Sequence, residues 1–190
     1  MIKNLPQTGI FFIILMFFVT CNNQNDNKFV FKNGKEKIVL SLNEKTDSAY
    51  DLKSEIYNDG KLGFSDKWEL DYPIYRFYCE DINNDGLPEM AVGVTKTTRY
   101  DSICRRRLFI FKLYDGKYIR PLWLGSRVSY PLVDFRIVDK KDEKRFRTIE
   151  QNGENSFVVA EYRYGSFGLE WICYVKKNIN KKTAEKLLKK

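Results

Sequence analysis

The sequence predicts an all-β fold of blade-like antiparallel meanders, arranged as a partial β-propeller-like or stacked-sheet assembly. Three observations carry this. Short runs rich in Val, Ile, Tyr and Phe, such as LFIFKLY and SFVVAEY, suit pleated, half-buried surfaces. Turn residues punctuate those runs at short intervals, beginning with Asn33-Gly34. From Tyr72 onward the chain repeats: Tyr72, Pro73, Phe77 and Asp81 recur as Tyr130, Pro131, Phe135 and Asp139, each 58 residues later. Phe109, Tyr114 and Trp123 recur as Phe157, Tyr162 and Trp171, each 48 residues later.

The elements follow in order. Residues 21–27 form a polar tether ahead of a β domain spanning 28–177. FVF and IVLSL alternate around Asn33-Gly34 and predict a hairpin turned at those two residues, since both central positions favour φ > 0. The polar stretch 43–67 contains the one early segment expected to be helical, 48–57. Two repeat units, about 72–126 and 130–177, each predict a strand, a turn at the Asp, a second strand and a closing hairpin. The closing turns are expected at Asp115-Gly116 and Tyr164-Gly165. Four antiparallel strands per 40–50 residues is the spacing of propeller blades, and a complete ring needs about four. The basic tail, 178–190, is expected to be a solvated end.

Composition narrows the function. The net charge of +8 is concentrated, because residues 176–190 hold seven Lys and one Glu. Without that tail and Lys3 the body is close to neutral, which is not a nucleic-acid footprint. The chain has no His, which removes Ser-His-Asp and Cys-His catalysis and the common His-containing zinc sites. No recognisable catalytic set remains, so a non-enzymatic role is expected. Asp66, Glu69 and Asp71 near Trp68 are the nearest approach to a glycosidase carboxylate pair, and a carboxylate-based enzyme acting on glycans is the alternative. Trp68 is expected to be exposed, Trp123 and Trp171 to pack in the core, and Arg105-Arg106-Arg107 to begin a solvated strand. Cys79 and Cys104, placed on neighbouring strands, are either a disulfide pair or, with Cys173, small buried hydrophobes.

The N-terminus reads as an address. Lys3 precedes an apolar run over 9–19, too short to span a bilayer, and a polar tract follows. Residues 1–20 are therefore expected to be a secretory signal. Cys21, directly after Phe18-Val19-Thr20, resembles the acylated cysteine of the bacterial lipoprotein lipobox. The resemblance implies cleavage before Cys21, lipidation of its thiol, and anchoring to a membrane of the bacterial cell envelope.

One segment has the spacing of a cation loop. Asp81-Ile82-Asn83-Asn84-Asp85-Gly86-Leu87-Pro88-Glu89 places side-chain oxygens at positions one, three, five and nine, a Gly at six, and a carbonyl at Leu87. Hard cations such as Ca²⁺ take six to eight oxygens of this kind. Val92 stands where an EF-hand needs its twelfth-position Glu, and a strand follows in place of a helix. Strand, D-x-N-x-D-G-x-x-E, strand resembles the calcium loops of FG-GAP repeats, the blade units of the integrin α-subunit propeller. That resemblance implies Ca²⁺ held by Asp81, Asn83, Asp85, Leu87 and Glu89 in a structural role. The corresponding Asp139-Lys140-Lys141-Asp142-Glu143 lacks the Gly, so one site is expected. Together these features suggest a membrane-anchored module that binds an envelope protein or glycan.

Overall fold

The computed structural model describes residues 27–125, 128–141 and 143–190. Twelve strands form three four-stranded antiparallel meanders, each joining its strands in chain order. The first comprises β1 (Lys28–Asn33), β2 (Glu36–Thr46), β3 (Ala49–Asn58) and β4 (Lys61–Leu70). The second comprises β5 (Ile74–Glu80), β6 (Glu89–Thr98), β7 (Asp101–Tyr114) and β8 (Tyr118–Leu124). The third comprises β9 (Leu132–Lys140), β10 (Glu143–Gly153), β11 (Ser156–Gly165) and β12 (Gly168–Ile179). Among the described residues a single helix, α1 (Lys181–Leu188), follows. The all-β class is as the sequence indicates. The sheets are stacked face to face, and no closed barrel forms among the described residues.

The middle sheet is buried on both sides. Met90, Val92, Phe109 and Phe111 face Leu40, Leu52, Ile56 and Leu70 of the first sheet. Ala91, Leu108 and Ile110, one residue out of phase on the same strands, face Phe135, Phe146, Ala160 and Tyr162 of the third. Strands β6 and β7 accordingly read as unbroken apolar runs, as doubly covered strands do. The two interfaces are also pinned by polar contacts. Ser54 donates to the Lys117 carbonyl at 2.8 Å, and the Ile119 amide donates to Asp66 at 2.8 Å. Arg76 pairs with Asp134, and Lys144 with Glu80, between the second and third sheets.

Several expectations are corrected. The stretch 48–57 is strand β3, not helix: Leu52, Ser54 and Ile56 all face the core, a period of two. The segment 43–67 completes the first sheet where only a hairpin was expected; its alternate residues are polar and face solvent. Two turns shift along the chain. Asn33 pairs with Glu36, so the first loop is Gly34-Lys35, with Gly34 at φ 60°. Gly165 pairs with Gly168, so the last is Ser166-Phe167. The turn at Asp115-Gly116 stands, as a three-residue loop through Lys117.

The C-terminal tail is not a solvated end. Asn180 caps α1, accepting from the Thr183 amide at 2.9 Å. Ala184 and Leu188 pack on Ile149, Phe157 and Val159, the outer apolar face of the third sheet. Arg147 donates to the Leu187 carbonyl at 3.0 Å and to Glu161 at 2.8 Å, fixing the far end of the helix. An eight-residue helix has little stability alone, so this packing is what forms it. Leu188→Ala should therefore cost about 2 kcal/mol by urea unfolding, while Lys186→Ala on the exposed face should stay within about 0.5 kcal/mol.

Candidate cation loop

The antiparallel register places the β5–β6 connection at one end of the stack, beside the β7–β8 turn. A Cβ on Gly116 would lie 4.0 Å from Leu87. Within the connection the acidic and amide side chains fold back onto the backbone. Asp81 accepts from the Asp85 amide at 3.1 Å and the Gly86 amide at 3.0 Å. Asn83 Oδ1 accepts from the Asp85 amide at 2.8 Å, and Asp85 from the Leu87 amide at 2.9 Å. These bonds curl the chain tightly enough that Asn84 sits at φ 59° and Gly86 at φ 86°. Gly takes such a conformation without strain, and Asn is the commonest other residue to do so.

Glu89 closes the loop from beneath. It is the first residue of β6 and only 1% exposed. Its carboxylate accepts from the Ile82 amide at 2.9 Å and from Asn83 Nδ2 at 3.0 Å. Burial raises its pKa to about 7, and the nearby charges of Asp85 and Asp81 push the same way against the stabilising amide bonds. All four polar residues that the sequence points to, and the Leu87 backbone, thus belong to one turn around one buried carboxylate. Among the described residues, no three His, Cys, Asp or Glu side chains gather closely enough to hold a metal by themselves. The donor set suits a hard cation in chemistry. Asp81 and Asp85 keep lone pairs beyond the amide bonds they accept, and a cation would also draw on Asn83 and the Leu87 carbonyl.

The other expected sites are dispersed. Cys79 is buried in the core and Cys104 is exposed, and both are free. Strand β6 lies between their strands, so the disulfide alternative does not close, and the exposed Cys104 does not fit the buried one either. Cys173 is half-buried and also free. Cys21 lies outside the described residues. Asp66 faces the second sheet, whereas Glu69 lies across β4 on the outer face with Lys45 and Lys67, so no catalytic pair forms. Trp68, expected to be exposed, packs against Phe111 at 6.0 Å, and Trp171, expected to be buried, is 51% exposed.

Two polar clusters escaped sequence reasoning. Arg107 is wholly buried and donates to the Lys96 and Ile103 carbonyls at 2.9 and 3.2 Å. Glu150, also buried, accepts from Thr148 at 2.6 Å, Tyr162 at 2.8 Å and the Tyr130 amide at 2.8 Å. It fastens the segment leading into β9. The recurrence of Tyr162 in the repeat was the one signal pointing there. Burial raises the Glu150 pKa, and its three donors oppose the rise.

Glu89 gives the loop a defined pH response. Its ordinary value of 4.5 applies to the unfolded chain and about 7 to the folded one. The folded state therefore holds a proton that the unfolded state releases between those values. Stability from this group is full below pH 4.5 and is lost as pH rises to about 7, by on the order of 3 kcal/mol. In EDTA, the stability difference between Glu89→Gln and wild type should shift in favour of the variant over that window, measured by urea unfolding at pH 4.5 and pH 8.

Comparison with protein-family models, with curated proteins and with solved structures finds no match to this chain.

Proposed function

We propose that this protein is a membrane-anchored envelope lipoprotein whose calcium-stabilised β domain serves as a binding module for an envelope protein or glycan. The observation that supports the calcium reading best is Glu89. It is a carboxylate buried at the floor of a loop whose other polar side chains are Asp81, Asn83 and Asp85. Left alone, that arrangement leaves Glu89 only partly ionised near neutral pH; a bound divalent cation would favour the ionised form. Asp81, Asn83, Asp85, Glu89 and the Leu87 carbonyl would hold it. The cation would supply charge neutralisation and a fixed loop, with no chemical step.

The anchoring part rests on Cys21 and the apolar run before it. Among the described residues no helix is long and apolar enough to cross a membrane, so the described domain offers no helical span of its own. The binding part rests on the stacked β body and the loops it presents at its ends.

The test is a thermal melt of the purified protein in EDTA and in 10 mM Ca²⁺. Extracellular loops of this kind bind with Kd around 10⁻⁴–10⁻³ M. At 10 mM that gives about 1.4–2.7 kcal/mol, or a Tm rise of roughly 3–10 °C in a chain of this size. Asp81→Ala combined with Glu89→Gln should abolish the rise. An equal rise in the variant, or none in wild type, would remove the cation from the reading.

A further inference from the structure

The end of the stack opposite the cation loop carries a feature that the fold does not need. Strand β5 stops opposite Val94 and β8 stops opposite Phe109. The Thr95 amide still donates to the Pro73 carbonyl, and beyond it β6 and β7 continue as a two-stranded ribbon over 96–105, closed by a tight turn between Thr98 and Asp101. At its tip Tyr100 is 86% and Ile103 57% exposed. The Arg99 guanidinium lies 5.7 Å from the Tyr100 ring.

This ribbon is braced, not frayed. The buried Arg107 guanidinium donates to the carbonyls of Lys96 and Ile103 and lies 3.1 Å from the Asp101 carboxylate. Asp101 also accepts from the Ile103 amide at 3.1 Å. Burying a cation is costly unless its donors are all used. Here one is spent on shaping a tip whose own apolar side chains contact solvent. Asp101, the one acid of the tip, is engaged by Arg105 as well as Arg107. Arg99 and Arg105 leave the outer surface basic.

The position of the tip says what it meets. The Leu42 amide donates to the Asn27 carbonyl, so the chain reaches β1 from this same end. Six residues, 22–27, separate Cys21 from Lys28. Fully extended they reach about 20 Å. The ribbon projects about 10 Å past Thr95, at roughly 3.3 Å per residue. A tether of that length holds this end, and not the cation loop, toward whatever anchors Cys21. The neighbouring β2–β3 turn carries Glu44, Lys45 and Asp47 and is less basic than the ribbon. Tyr and Arg are side chains that suit a headgroup interface, the ring seated and the guanidinium in water.

We infer that the β6–β7 tip, through Tyr100, Ile103, Arg99 and Arg105, seats on the surface of a phospholipid bilayer containing anionic headgroups, as a second contact beside the lipid anchor. The inference rests on the anchored reading above. Its consequence is orientation: the cation loop and the turns around it face away from the membrane, free to meet a partner.

The exposed thiol of Cys104 reports directly on the tip. The full chain, purified from cell membranes and carrying Cys173→Ser, is labelled at Cys104 with an environment-sensitive dye. It is reconstituted into vesicles of 30% phosphatidylglycerol in phosphatidylcholine. Vesicle flotation reads the anchor, and quenching by aqueous iodide reads the tip. The expected result is flotation together with at least a threefold fall in the quenching constant relative to detergent solution. Tyr100→Ser with Ile103→Ser should still float but lose the protection. Flotation without protection overturns the tip contact alone. Failure to float overturns the anchored reading and the tip contact with it. Equal protection in pure phosphatidylcholine overturns the requirement for anionic headgroups. Protection seen only in native membranes, and not in pure lipid, overturns lipid as the occupant in favour of a protein.

Discussion

Everything in this fold depends on the middle sheet having two apolar faces. Strands β6 and β7 alternate Met90, Val92, Phe109 and Phe111 on one side with Ala91, Leu108 and Ile110 on the other. Neither face can be left in water, since each buried side chain of this size is worth about 1.5–3 kcal/mol. The sheet therefore needs a layer above and a layer below, and the first and third sheets are those layers. The problem then passes outward. The first sheet ends it with charged and polar residues, where Lys45 and Lys67 pair with Asp51 and Glu69. The third sheet has Ile149, Phe157 and Val159 on its outer side and ends it with α1. A stack finished at both ends in this way has no unfilled apolar face that requires a fourth sheet.

The two polar ends of the stack differ in kind. At one, backbone turns and a buried carboxylate form the 81–89 loop, next to the β7–β8 turn. At the other, the chain arrives at β1 and the braced ribbon projects. In an antiparallel stack every hairpin returns the chain to one of two ends, so a single anchoring point decides which set of loops is presented outward. The contrast between Glu89 and Glu150 shows how locally the chemistry is set. Both are buried and both have raised pKa values, but Glu89 sits among other carboxylates. Glu150 is ringed by hydroxyls and an amide and serves only to hold the segment before β9.

The first half of the repeat was legible because its Tyr-Pro members do equivalent work, whereas Tyr114 is exposed and its counterpart Tyr162 buried. The Thr95 and Gln151 amides donate to the Pro73 and Pro131 carbonyls, each at 2.9 Å, so both Tyr-Pro dipeptides start a sheet in the same way. The loop residues were legible because Asp, Asn and Gly at fixed offsets state their own backbone geometry. The first sheet was not, beyond its hairpin, because half of β3 and β4 faces solvent and reads as loop. Helix α1 was hidden in a lysine-rich tail whose few apolar residues matter only against Ile149 and Val159. Arg107 was hidden because a third consecutive Arg reads as solvated charge, while its carbonyl partners lie on the paired strand and four residues back on its own.

By itself the sequence determined the all-β class, the meander order of the last eight strands, and the identity of the polar residues in the 81–89 loop. These are local properties: side-chain alternation and turn chemistry act over a few residues and need no partner. The tertiary structure decided the stacking of three sheets, the folding of the tail as a cap, the separation of Cys79 from Cys104 by β6, and the burial that sets Glu89 near neutrality. Each of those depends on which surface meets which across the core, a fact that no short window of residues contains.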